Sequence, residues 1–270
     1  MSFHRFERLA RSVTNPLLAK DSQGATVEGR YMYFRHLHQA AGAGSKLHYH
    51  PNELIIFPLV GRMNVVVGTD HRIVGPGTFV HIPAYARHAT RATEDGPMEY
   101  LYIKDRTAPL IGYSARDGTP GNAAAGMRSK KTAKSPMLIS GLGNCFYPLL
   151  DTLDAPVASA SRSLWQEGAR LGFGCTELLA GACETSKASA HETFLYVLSG
   201  AMRATVGRQR RNVRPGGVIE IPLGASYEFS VPSGKSVRLV GTRSTRLLEI
   251  QLPQRKRSAR PTHASMRLRT

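Results

Sequence analysis

The stretch HYHPNELIIFPLVG, His48 to Gly61, places two histidines two residues apart, then a glutamate, then an apolar run closed by glycine. In a strand, side chains at i and i+2 share a face. His48 and His50 would then point the same way, as two ligands of one metal ion do. Imidazole suits several divalent transition metals, and the residues alone do not choose among them. Competing chemistry is absent from the sequence. There is no GxSxG or partnered SxxK nucleophile, no GxxxxGK[ST] phosphate loop and no GxGxxG after a strand. Cys145, Cys175 and Cys183 form no CxxC and read as reduced thiols of a cytoplasmic protein.

The elements that must carry these histidines are short strands. RYMYFRHLHQ, ELIIFPLVG, RMNVVVG, GTFVHIP and MEYLYIKD are rich in β-branched and aromatic residues and bounded by Gly, Pro and Asp. Helical periodicity is lacking, so the pattern predicts an all-β sandwich or barrel. Apolar residues make up 41% of the 270 and charged residues 20%, an ordinary globular balance with room for one or two domains. No run approaches the roughly 18 apolar residues of a membrane span, and the basic start MSFHRFERLARS lacks the apolar core of a secretory leader.

One unit is written twice. Shifted by 139 positions, NELIIFPLVGRMNVVVGTDHRIVGPGTFVHIPAYARHA falls without a gap on HETFLYVLSGAMRATVGRQRRNVRPGGVIEIPLGASYE. Glu53 meets Glu192, Gly61 meets Gly200, Gly68 meets Gly207 and Pro83 meets Pro222; Phe34 pairs with Phe173 in the same register. The expected organisation is residues 1–112 as a first domain, 113–160 as a linker, 161–253 as a second domain and 254–270 as a basic tail.

The net charge of +17 is concentrated partly in that tail and in MRSKKTAK, residues 127–134. No helix-turn-helix, finger spacing or aromatic-interleaved basic motif organises it for base readout, so a nucleic-acid partner is not expected. The charge favours an anionic small molecule.

Gly42, His48, His50, Glu53 and Gly61, followed by Gly77, Pro83 and His88, resemble the two sequence motifs of the cupin superfamily. The chain resembles a bicupin: two tandem jelly-roll barrels over roughly residues 30–105 and 170–252. The resemblance implies that His48, His50 and His88 ligate a divalent metal, with Fe(II) first and Mn, Ni, Zn and Cu as alternatives. It also implies a small-molecule substrate and a homodimer formed through sheet edges. The family's glutamate ligand falls on Leu54 here. Glu53 lies one residue earlier, where strand alternation turns it to the opposite face, although a bulge near Pro51 would make it an additional ligand. In the second copy Lys187, Ser189 and Tyr227 replace the histidines, and no metal is expected there.

Further candidates are Tyr33, Phe57 and Tyr102, taken as pocket-lining, and His36 and His38, a second HxH that would touch substrate if it faced inward. His81 is expected at the surface. The three-histidine set without an acid resembles that of iron(II) dioxygenases for thiols, diketones and gentisate-type acids, so a mononuclear non-haem iron(II) dioxygenase is the first functional expectation. The alternatives are an isomerase, lyase or decarboxylase using the metal as a Lewis acid, and a non-enzymatic sensing module.

Overall fold

Among the described residues the strand-like runs pair into four antiparallel sheets. The computed structural model describes residues 1–15, 19–110, 112–115, 137–153 and 161–245. The basic cluster at 127–134 and the tail at 254–270 lie outside the described residues. No helix among the described residues is long and apolar enough to cross a membrane.

In the first jelly roll a seven-stranded sheet faces a five-stranded one. The larger sheet runs Phe146–Tyr147, Phe79–Ile82, Leu54–Val60, Met98–Asp105, Met32–Gln39, Ala19–Glu28 and Arg11–Asn15. The smaller runs Tyr113–Ser114, His48–Tyr49, His88–Ala92, Met63–Val67 and Asp70–Val74. In the second jelly roll the order Phe3–Arg5, Gly217–Ile221, Thr193–Ser199, Val237–Ser244, Leu171–Leu178 and Arg162–Glu167 faces Cys183–Ser186, Tyr227–Ser230, Met202–Val206 and Gln209–Val213. Gly68 and Gly207 begin the two-residue hairpins of the smaller sheets, at φ 61° and 55°. Such turns twist correctly only with positive φ, which glycine adopts without strain.

Each barrel has its own core, around Met63 and Val65 in the first and Val197 and Ile219 in the second. A third cluster joins the outer faces of the two large sheets. Phe34 stacks on Phe194 with centroids 5.2 Å apart, and Phe79 meets Phe173 at 5.3 Å. The large sheets are therefore buried on both sides. That is why LIIFPLV reads as a continuous apolar run, whereas MNVVV in a small sheet alternates buried and half-buried.

The barrels exchange edge strands. Phe3 pairs with Ile219 of the second barrel, and Phe146 pairs with Val80 of the first. Val80 and Ile219 are the same position of the repeat. The strand that closes the large sheet of the first barrel thus lies within residues 113–160, and the one that closes that of the second lies at the start of the chain.

A second reciprocal contact ties the repeats together. The Glu53 carboxylate accepts backbone N–H groups from Ala169, Arg170 and Leu171 at 2.6–2.9 Å. The Glu192 carboxylate accepts those of Arg30 and Tyr31, the corresponding loop of the first copy. A Cβ at Gly29 or Gly168 would run into these carboxylates, so glycine at both positions lets the acids approach.

Candidate metal centre

The register of the small sheet sets His88 directly opposite His48, and His50 follows two residues on. Ring centroids lie 4.2 Å apart for His48 and His88, and 4.7 Å for His50 and His88. Each Nδ1–H donates to a backbone carbonyl: His48 to Lys46 at 2.7 Å, His50 to Asn52 and His88 to Ala86 at 2.8 Å. These bonds fix the tautomer and leave every Nε2 with a lone pair directed away from the backbone. The Nε2 atoms of His50 and His88 are buried without any partner. One ligand atom from each ring falls within 4.8 Å of the others.

Two buried, unpartnered acceptors beside a third imidazole fit a divalent metal ion, because an unmade hydrogen bond at depth is costly and a cation satisfies all three lone pairs. Burial holds the histidines neutral. It pushes His48 down to about 4 and His50 and His88 well below the ordinary imidazole value, with the Lys104 charge adding to each shift. No proton therefore competes for these nitrogens at neutral pH.

Leu54 lines the cavity at the position where the resemblance expects a glutamate. Glu53, one residue earlier, faces the other repeat. Besides its three backbone donors it meets His81 at 2.6 Å. Burial alone would raise this carboxyl, but His81 and the backbone N–H groups hold it below its ordinary value. No bulge brings Glu53 round: Leu54, Ile55 and Ile56 pair in unbroken register with Ile82, His81 and Val80. Glu53 is thus spent on the contact between repeats, and His81 lies there too, half-buried, rather than at the surface.

Tyr102 lines the cavity, with Tyr100 and Lys104 on the same face of the Met98–Asp105 strand. The other expected pocket residues lie elsewhere. Phe57 packs on Phe79 at 4.6 Å in the cluster between the barrels. His36 sits against Phe6 and 3.1 Å from the Glu99 carboxylate, on the outer face. His38 shares that face by strand alternation. Tyr33 lies on the interior parity, but its ring lies beneath the Arg106 guanidinium, 4.8 Å away.

Lys104 is the residue that the sequence reading passed over. It is 2% exposed, and burial pushes its ammonium down to about 7, with Asp105 opposing the shift and Arg35 adding to it. The signal was available: Lys104 stands two residues after Tyr102, on the same face of one strand. The cavity is small, about 40 Å³. That is room for about three waters.

The second barrel holds no such cluster; among the described residues only the three histidines group as metal ligands. Ser189 Oγ donates to the His191 carbonyl at 2.7 Å, just as His50 donates to that of Asn52. Tyr227 donates to Glu184 at 3.1 Å. The backbone frame of the site persists without its ligands.

Residues 35–104 match the family model described as the cupin domain. That span includes all three histidines. Among solved structures the chain is similar to an oxalate decarboxylase studied for its substrate binding mode and reaction specificity, at 16% identity and TM-score 0.65, over 90% of this chain and 77% of that one. It is also similar to oxalate decarboxylase from Bacillus subtilis at pH 4.6, at 15% identity and TM-score 0.63, over 90% and 76% of the two chains. A third structure, from work on the Mn(II) centres of the same enzyme, matches at 16% identity and TM-score 0.63 over 90% and 77%. At such identities the likeness is one of fold: an all-β, cupin-like jelly roll. No curated protein matches the chain.

Proposed function

We propose that the chain is a metal-dependent lyase of the decarboxylase type, acting on a carboxylate of only a few heavy atoms. The observation that carries this reading is the pairing of three convergent imidazoles with buried Lys104 in a cavity of about 40 Å³. A bound divalent metal would supply a Lewis acid for a carboxylate or carbonyl oxygen.

The chain's own groups do the rest. His48, His50 and His88 bring no negative charge, and Leu54 offers none, so the site favours an anionic ligand. Lys104 supplies a second positive charge for a carboxylate and a proton that can replace the departing CO₂ on carbon. The balance is RCOO⁻ plus H⁺ giving RH plus CO₂. Tyr100 and Tyr102 wall the cavity and limit water. The small volume favours ligands smaller than gentisate-sized rings. Together with relatives that are decarboxylases, it supports the lyase reading over the iron(II) dioxygenase first expected from the histidine set. Oxalate is the first substrate to test, and manganese the first metal, ahead of iron.

The test is to load the purified protein with Mn(II), Fe(II) or Zn(II) and follow CO₂ release and dioxygen uptake with oxalate and other two- to four-carbon acids. CO₂ release without stoichiometric oxygen consumption supports the proposal. Stoichiometric oxygen uptake would restore the oxygenase, and neither activity with any metal would overturn both.

A further inference from the structure

The second barrel lacks metal ligands but is not filled. Its cavity, at the place where the first barrel holds its histidines, is more open and measures about 470 Å³, against about 40 Å³ in the first. The cause is legible in the register. In the first barrel Thr26, Arg35 and Tyr102 stand side by side on three neighbouring strands, with Arg35 donating to Thr26 and lying 6.0 Å from the Tyr102 ring. The same positions in the second barrel are Trp165, Gly174 and Gly241. Two large side chains have become glycines. The indole of Trp165 lies over both, since a Cβ on either would press into it. The exchange leaves the second barrel roomier and more open and gives it an aromatic floor.

The polar groups facing this space balance in charge. Arg243, the counterpart of Lys104, sits 4.6 Å from the Trp165 ring centre and is bonded to Glu167. Glu184 lines another wall, hydrogen-bonded to Tyr227. Ser163 and Thr176 share a 2.8 Å hydrogen bond, and Ser189 and Thr193 add further hydroxyls to the lining. An anion entering here would find Arg243 already engaged by Glu167 and would face Glu184. A cation would face Arg243. A neutral ring bearing several hydroxyls meets no such conflict. Its apolar edge can meet the part of the indole that the Arg243 guanidinium leaves facing the cavity, while its hydroxyls bond the carboxylate, the guanidinium and the side-chain hydroxyls. The volume lies within the usual range for small-molecule pockets.

We propose that the second barrel is a metal-independent binding site for a neutral cyclic polyol or monosaccharide, seated on Trp165 between Glu184 and Arg243.

Trp165 is the chain's only tryptophan, so it reports its own site. The full-length protein is titrated with glucose, galactose, xylose and myo-inositol, following tryptophan emission and, in parallel, heat by calorimetry. At least one is expected to give a saturable emission change with matching heat. Thr193→Phe, which puts a ring into the cavity, is expected to abolish both, while the metal content of the first barrel stays as in the wild type and shows that the chain is folded. The proposal is overturned if no polyol gives heat or an emission change. It is also overturned if binding survives Thr193→Phe, if it disappears on removing the metal, or if only aromatic or carboxylate ligands saturate the signal.

Discussion

Position for position, the first barrel holds His48, His50, His88, Lys104 and Tyr102 where the second holds Lys187, Ser189, Tyr227, Arg243 and Gly241. What stays constant between them is outside the cavity: the hairpin glycines, the phenylalanine layer between the sheets, the exchanged edge strands and the two carboxylates that reach across. What changes is inside. The frame is thus held by backbone pairing and by contacts between repeats, and the interior of each barrel is free to specialise. The second copy keeps that frame without metal ligands, since Ser189 preserves the backbone bond that His50 makes.

The sharpest way to test that contrast is to remove ligands from one side and their counterparts from the other. His50→Ala with His88→Ala is expected to take bound metal from about one equivalent per chain to none, read by elemental mass spectrometry. Ser189→Ala with Tyr227→Ala should leave the metal content unchanged. The wild-type site should also hold its metal through mildly acid pH and release it only near pH 4. The sign follows from the lowered imidazoles: the folded chain refuses protons that free histidine takes up near 6.5, so ligand competition begins late. In metal-free protein the same shifts destabilise the fold as pH falls below 6.5, because the unfolded chain gains protons first.

Lys104→Met comes next in size. We expect decarboxylation to fall by about 10²-fold or more while bound metal is retained. The metal-free variant should melt higher than the wild type. A lysine lowered to about 7 in the fold costs stability wherever the unfolded chain is protonated and the folded one resists, a cost that is full below pH 7 and fades toward pH 10. The gain is on the order of a few kcal/mol at neutral pH. Arg243→Met, at the corresponding but half-exposed and paired position, should bring no such gain.

The smallest contrast is between the two clasping acids. His81 stands beside Glu53 and holds its carboxyl low. The repeat places Glu220 where His81 would be, and burial, with Glu220 adding, pushes Glu192 up. Glu53 therefore contributes stability above its ordinary titration range and loses it in acid, whereas for Glu192 acid relieves a cost. Glu53→Gln is expected to cost about 2–3 kcal/mol at pH 7 and Glu192→Gln about 1 kcal/mol or less, with the difference shrinking toward pH 4 in thermal melts. Equal costs at every pH would show that the two clasps are electrostatically alike.

Much of this was legible in the chain. The strand runs, the duplication and the parity of His48 and His50 are local or periodic signals, and alternation alone placed Glu53 and Leu54 on opposite faces. Phe57, His36 and His38 were misplaced because both faces of the large sheets are buried, so hydrophobicity no longer distinguishes cavity from interface. His81 looked peripheral because its partner lies at the interface, beside residues more than a hundred positions away. The strand exchange left no trace in composition: Phe3–Arg5 is too short to announce where it pairs.

That exchange has a topological consequence. Each barrel is completed by a strand that belongs covalently to the other half, as in a pair of molecules that have traded arms. A cut within residues 116–136 would therefore leave two fragments still buttoned to one another at both ends, and separating them would require both barrels to open. A lone copy of the repeat could close its sheet only by borrowing the arm of a second molecule. The covalent link between the halves converts that encounter from a matter of concentration into a property of a single chain.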